Sequence, residues 1–178
     1  MALTVVFNVL LTPIGILNVS VAVTVCTLAA IAVDGLFAFI IRRLPSAWFD
    51  YRHAFFKVSK GERKLYKLLR VKSWRGLVIE LGVFTSFSKS RFSEPSNPIY
   101  TARFLLESCY GVVIHIACVI VGFGVLPIFP SYALSIGLPV ATVNAFLNIL
   151  PIFVLRYNTP KIRSVHERNL RKAKKELC

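Results

Sequence analysis

Three ionisable side chains lie within the apolar spans of this chain, Asp34, Glu107 and His115, and the amides Asn144 and Asn148 join them. Their types point to proton transfer. An imidazole accepts or gives a proton near neutral pH, and a carboxyl or amide group beside it sets its orientation. Amide N–H groups can also stabilise charge that develops on a carbonyl oxygen during acyl transfer. Ionisable groups within an apolar span cost at least about 2.5 kcal/mol on insertion scales, so each calls for a partner or a function. A structural reading stands beside the chemical one. A histidine in a span also serves as a hydrogen-bond partner for a neighbouring helix, and buried asparagine as interhelical glue. Asp34 equally suits a structural pair with Arg42 or Arg103, and Glu107 an ordinary helix pair with Arg103.

The elements that must hold these residues follow from the charge map. All 22 Lys and Arg residues fall in two windows, 42–103 and 156–175, and the rest of the chain carries none. Hydrophobic residues make up 56% of the sequence and mean hydropathy is +0.66, well above the soluble norm. Apolar runs of about 17–25 residues have the length that crosses a bilayer, and cytoplasmic loops concentrate Lys and Arg. The pattern therefore predicts an all-α, small polytopic transmembrane helical bundle with amphipathic interfacial helices, as a single membrane domain over 1–178. Spans are expected at about 17–41, 104–126 and 132–155, with a basic cytoplasmic loop over 42–103 and a basic cytoplasmic tail over 156–178. Residues 3–11 are too short to cross alone, and whether they make half of a fourth span stays open. The predicted location is a bacterial cell membrane, multi-pass, with the basic loop and C-terminus inside.

Net charge of +14 invites a nucleic-acid reading, which its distribution argues against. The positive charge flanks apolar spans, where it meets anionic lipid headgroups. The four cysteines, Cys26, Cys109, Cys118 and Cys178, form no CxxC pair, so neither a metal site nor a disulfide framework is expected. The N-terminus lacks the positive region and small-residue cleavage site of a secretory signal and is expected to be retained. Within the basic loop, residues 62–71 place Leu65, Leu68 and Leu69 at helical spacing among basic residues, which suits a helix lying on the bilayer surface. Trp48, Phe49, Tyr51, Phe55 and Phe56 form an aromatic cluster of headgroup-level type. Residues 84–97, rich in Ser and Phe, read as a loop, and Pro127 and Pro130 as the turn between the last two spans.

Depth can be reckoned from the basic ends. At 1.5 Å per residue, Glu107 lies roughly 6 Å and His115 roughly 18 Å beyond Arg103. From Arg156, Asn148 is roughly 12 Å and Asn144 roughly 18 Å deep, and Asp34 is about 12 Å from Arg42. That reckoning levels His115 with Asn144 on adjacent antiparallel helices. Glu107 and His115 point within about 80° of each other but differ by roughly 12 Å in height, too far for a direct dyad. Gly111 lies between them and leaves room for close approach.

Two local patterns go further. Glu107-Ser-Cys-Tyr-Gly-Val-Val-Ile-His115 opens one span, and Asn148-Ile-Leu-Pro151-Ile-Phe-Val-Leu-Arg156-Tyr157-Asn158-Thr-Pro160-Lys161 closes the next. With Val71-Lys-Ser-Trp74-Arg75 and Phe87-Ser-Lys89 upstream, they resemble the glycosyl-4,4'-diaponeurosporenoate acyltransferase family of bacterial membrane proteins. The resemblance extends over roughly 42–163. Tyr110 and Val112 stand where some members carry Arg and a second Glu, Leu155 where Gln is common, and Thr159 where Arg is common.

That resemblance implies transfer of a fatty acyl chain to a sugar hydroxyl of a glycosylated carotenoid or related glycolipid. His115 would be the general base, Asn144 or Asn148 would orient it or donate to the oxyanion, and Glu107 would fix the helix or bind sugar. Arg156, with Tyr157, Asn158, Lys161, Trp74 and Arg75, would bind substrate, the basic groups holding the phosphate of a donor. No cofactor or metal is implied, and an acyl-CoA or acyl lipid serves as co-substrate. Expected partners are membrane lipids, an amphiphilic acceptor and the acyl donor, with no nucleic acid and with homo-oligomer formation left open. The competing readings are a non-catalytic small membrane subunit or scaffold of a lipid or pigment assembly, and, more weakly, a small transporter or channel. Absence of internal repeats argues against the last.

Overall fold

The computed structural model describes residues 16–78 and 92–176. Among them every regular element is helical and there is no strand, as the apolar periodicity predicts. Helix α1 is Ile16–Arg42, α2 is Lys60–Leu68, α3 is the single turn Val71–Trp74, α4 is Pro98–Val121 and α5 is Leu138–Glu176. Three stretches are long and apolar enough to cross a membrane: Asn18–Arg42, Pro98–Ile128 and Pro130–Lys175. The expectations for residues 3–11, for Phe87-Ser-Lys89 and for Cys178 fall outside the described residues.

Contacts divide the chain into two compact units, to both of which α4 and α5 contribute. The first is built from α1, residues 113–121 of α4, the connection after it and residues 138–149 of α5. Its core joins Ala22, Cys26 and Ala30 of α1 to Val125, Ile136, Val140 and Ala141. Those three α1 residues recur every fourth position, so they form one narrow stripe of small side chains that admits close approach. Asp34 continues the stripe by one more turn. The opposite face, including Val21, Leu28, Ile31 and Leu36, is exposed, the arrangement expected of a surface solvated by lipid.

Pro127 and Pro130 do mark the connection, but it is more structured than a simple turn. Tight 3₁₀ turns run over Gly122–Ile128 and Pro130–Tyr132, then a π turn over Ala133–Gly137 leads into α5. Gly137 eases close packing here. A methyl group on it would sit 3.3 Å from the Leu126 Cα, closer than backbone and side chain readily allow.

The second unit holds residues 44–78 and 92–112 and the remainder of α5. Helix α4 begins at Pro98, about six residues before the expected start of the second span. The cause is local: Asn97 accepts from the backbone N–H groups of Ile99 (2.9 Å) and Tyr100 (3.2 Å), and proline is favoured just inside a helix start. Phe104, Leu105 and Ile162 form the core, with Tyr51 and Tyr100 against them. Phe49 stacks on Tyr110 at 3.9 Å, and the Tyr110 hydroxyl donates to the Leu44 carbonyl.

Helix α5 runs unbroken for 39 residues through Pro151 and Pro160, so the third apolar stretch and the basic tail form one continuous helix. At 1.5 Å per residue this is roughly 58 Å, about twice the hydrocarbon thickness. Proline deletes one helical hydrogen bond and is tolerated where neighbouring groups hold the helix. Beyond Pro160 the helix is held at several points. His166 is buried and its Nδ1 lies 2.9 Å from Thr101 Oγ1, while Asn169 donates to the Pro95 carbonyl at 2.8 Å.

Candidate functional site

In the first unit, α1, α4 and α5 bring Asp34, His115, Asn144 and Asn148 into one hydrogen-bonded network. His115 Nδ1 lies 2.8 Å from Asn148 Oδ1. Asn148 Nδ2 donates to Asp34 Oδ2 at 2.9 Å and to the Asn144 carbonyl at 3.1 Å. Asn144 Nδ2 makes a longer contact with the other Asp34 oxygen, at 3.5 Å. Cys118 Sγ approaches the Asp34 carbonyl at 3.8 Å. Asn148 is buried and the other three are partly so.

The network fixes a tautomer. Both carboxyl oxygens of Asp34 face amide nitrogens, so Asn148 must turn its NH₂ toward Asp34 and its carbonyl toward His115. A carbonyl only accepts, so this contact calls for a hydrogen on His115 Nδ1, and in the neutral ring the lone pair is then on Nε2. Asn148 bridges the His115 ring and the Asp34 carboxyl by hydrogen bonds, an arrangement in which one group orients another through a third. Gly122 makes room for the network, because a Cβ there would land on the Asn144 amide nitrogen.

His115 meets Asn148, one of the two amides expected beside it, and Asn144, one helical turn away, joins through Asp34 and Asn148. Asp34 belongs to the network as its anchor and was missing from the predicted catalytic set. Its signal in the sequence was its place in the Ala22, Cys26, Ala30 stripe, which aims it at the packed side of α1. Glu107 lies in the second unit, half-buried on α4.

Arg156 is committed to the fold of the second unit. Its guanidinium grips Glu62 through two nitrogens, Nε and Nη2, the latter at 3.0 Å from Oε2. Nη1 donates to the Phe55 carbonyl at 2.9 Å and Nη2 to the Lys57 carbonyl at 3.3 Å. Such a bidentate fork is strong and specific, and it leaves little for a ligand. Glu62 is positioned by a capping box: Ser59 Oγ accepts from the Glu62 N–H at 3.1 Å while the Glu62 carboxylate reaches back to the Ser59 N–H. Tyr66, one turn on, also donates to Glu62 and packs on Phe153. The Arg156 guanidinium first, then the Tyr66 hydroxyl, hold the Glu62 carboxyl below the usual carboxylate range, against burial that pushes it up. Burial first, then the adjacent carboxylate, push the Tyr66 phenol above its ordinary value. Arg156 is thus a clamp for α2, not the phosphate ligand implied by its motif.

The other residues of that motif do meet. Arg75 Nη1 donates to Asn158 Oδ1 at 2.8 Å, and its guanidinium lies 5.9 Å from the Tyr157 ring centroid. Lys161 donates to the Tyr157 hydroxyl at 3.1 Å and lies 4.4 Å from the same centroid. Trp74 is half-buried and closes the turn below, its indole donating to the Leu69 carbonyl at 2.9 Å. That turn includes Arg70 at φ 50°, a left-handed conformation unusual for a residue with a side chain. Among the described residues no group of His, Cys, Asp and Glu side chains has the arrangement of a metal site.

Against known proteins, the sequence model of the glycosyl-4,4'-diaponeurosporenoate acyltransferase family matches residues 45–168, more than two thirds of the chain. The chain belongs to this family. It is accordingly an acyltransferase by class, and the scaffold reading loses its ground. No curated protein and no solved structure matches it. His115, Asn144 and Asn148 lie within the residues matched to the acyltransferase family, as do Arg75, Tyr157, Asn158 and Lys161, while Asp34 precedes them.

Proposed function

We propose that this acyltransferase esterifies a sugar hydroxyl of a glycosylated carotenoid or related glycolipid within the membrane, with His115 as general base. The observation that carries the reading is the Asp34–Asn148–His115 relay, which presents His115 Nε2 as the basic nitrogen. In the step itself, the sugar oxygen attacks the acyl carbonyl while its proton passes to Nε2. The new C–O bond forms, the bond from the carbonyl carbon to the donor's sulfur or oxygen breaks, and the imidazolium returns its proton to that leaving group. Asn148 orients the ring and Asp34 holds Asn148. Because Asn148 spends its N–H groups on Asp34 and Asn144, its part is orientation and not oxyanion binding.

Both substrates are amphiphiles, so chemistry among apolar helices lets their tails remain in lipid. The charge distribution supports a topology with 42–103 and the end of α5 on the cytoplasmic side. The direct test is expression in a host that makes the glycosylated C30 carotenoid, followed by mass spectrometry of extracted lipid. A mass gain matching one esterified fatty acid is expected. An unchanged acceptor, with the protein present in the membrane, would overturn the assignment.

A further inference from the structure

With Arg156 withdrawn from ligand binding, the second unit contains a different cluster suited to an anion. Arg75 and Lys161 both approach the ring of Tyr157, at 5.9 Å and 4.4 Å from its centroid. Their hydrogen-bond partners are neutral, the Asn158 side-chain carbonyl and the Tyr157 hydroxyl. Lys72, three residues before Arg75, adds a further positive charge felt by the Tyr157 phenol. The ion pairs Arg156–Glu62 and Arg163–Glu167 involve neither Arg75 nor Lys161. Arg75 and Lys161 are exposed, while Tyr157 and Asn158 are half-buried.

Gathering like charges at one aromatic face is unfavourable unless something negative joins them. A cation on an aromatic face recovers only about 0.5–1 kcal/mol at an exposed position, which does not by itself explain two. Arg75 uses Nη1 toward Asn158 and keeps a second edge of its guanidinium for a ligand, and an ammonium has three donors of which Lys161 gives one to Tyr157. A guanidinium edge matches two phosphate oxygens, and an ammonium supplies a point charge beside it. The sharp turn at Arg70, locked by the Trp74 indole on Leu69, is what projects Lys72 and Arg75 from the same short segment.

We propose that Arg75 and Lys161, framed by Tyr157 and Asn158, bind the phosphate ester of an acyl-carrying amphiphile. The identity of that amphiphile as acyl donor rests on the acyltransferase reading above, whereas binding of the anion does not. Two sources share this chemistry, the phosphates of a coenzyme A thioester and the headgroup of an anionic phospholipid.

The test uses the full-length protein in maltoside micelles, which contain no phosphate. Coenzyme A is titrated in one arm, and phosphatidylglycerol is added as mixed micelles in the other, with binding read by calorimetry. Saturable binding of coenzyme A assigns the soluble source, and binding of phosphatidylglycerol alone assigns the lipid. In Arg75→Gln/Lys161→Gln the affinity for the bound probe is expected to fall roughly tenfold or more, since each charged hydrogen bond lost is substantial. A control, Lys60→Gln/Lys64→Gln on the exposed side of α2, is expected to bind as the wild type does. Equal loss in the control, unchanged affinity in Arg75→Gln/Lys161→Gln, or binding of neither probe would overturn the proposal. Should the wild type bind coenzyme A through these residues yet transfer no acyl chain, the anion site stands and the reaction assignment falls.

Discussion

Replacing Asp34 by Asn is the sharpest probe of the relay, because it keeps the shape and removes the feature that orients everything else. In the native protein both Asp34 oxygens accept, from Asn148 at 2.9 Å and Asn144 at 3.5 Å. An amide at position 34 offers one acceptor and one donor. When its NH₂ faces Asn148, the Asn148 amide turns over and presents its own NH₂ to His115. The imidazole must then accept at Nδ1, which moves the hydrogen to Nε2 and abolishes the base. Hydrogen bonds ending on a charged group contribute about 1.5–3 kcal/mol against roughly 1 for neutral pairs, so the orienting bias falls by about 0.5–2 kcal/mol. Loss of the carboxyl behind the imidazolium adds to this, and a total of about 1.5–3 kcal/mol corresponds to a fall of roughly tenfold to hundredfold in kcat. Acyl transfer by membranes containing D34N, measured by mass spectrometry over a range of acceptor concentrations, should show kcat reduced and KM little changed. In a His115→Ala background the same substitution should have no further effect, as expected when two residues act as one unit. A D34N enzyme with wild-type kcat, or an additive effect in the double variant, would refute the relay.

The remaining expectations follow from neighbouring geometry. Gly122→Ala should lower activity several-fold by displacing the Asn144 side chain, with the thermal midpoint in detergent only modestly reduced because that amide is the movable end of its residue. Arg156→Met should destabilise the second unit by about 3 kcal/mol, since it leaves Glu62 partly buried without its counterion; a thermal unfolding shift reads this, and Glu62→Gln/Arg156→Met together should recover part of the loss. Because the folded-state Glu62 carboxyl lies below its ordinary value, the stability it confers is complete above the ordinary carboxylate range and is lost as pH falls through the lowered folded value. Glu62→Gln should therefore flatten the acid limb of a stability-versus-pH curve; an unchanged limb would contradict this coupling. Ser59→Ala removes one half of the capping box and should cost about 1 kcal/mol by the same unfolding assay.

Much of this architecture was legible in the residues. Helix α1 ends at Arg42, where the apolar run gives way to Arg42, Arg43 and Pro45. A helix does form around Leu65 and Leu68, with both leucines exposed, but it stops at Leu68 and the chain turns at Arg70, short of the expected end at residue 71. What sequence could not supply was register. Counting inward from Arg103 and Arg156 assumed that both mark one level, whereas Arg156 turns back onto Glu62 and α5 continues to Glu176. A pairing across 94 positions leaves no periodic trace, so the motif arginine looked like a ligand when it is a clamp. Asp34 was visible as an acid in an apolar helix, but its partners depend on which face of α1 packs. The small-residue stripe held that information.

The decisive comparison is acyl transfer by wild-type and His115→Ala proteins present at equal levels in the same membranes. Lipid extracts are read by mass spectrometry for the acylated glycoside. Loss of the ester by about a hundredfold or more in the alanine protein, with unfolding temperature retained, is the expected result for a missing general base. Ester formed at the wild-type rate by His115→Ala would contradict the account at its centre.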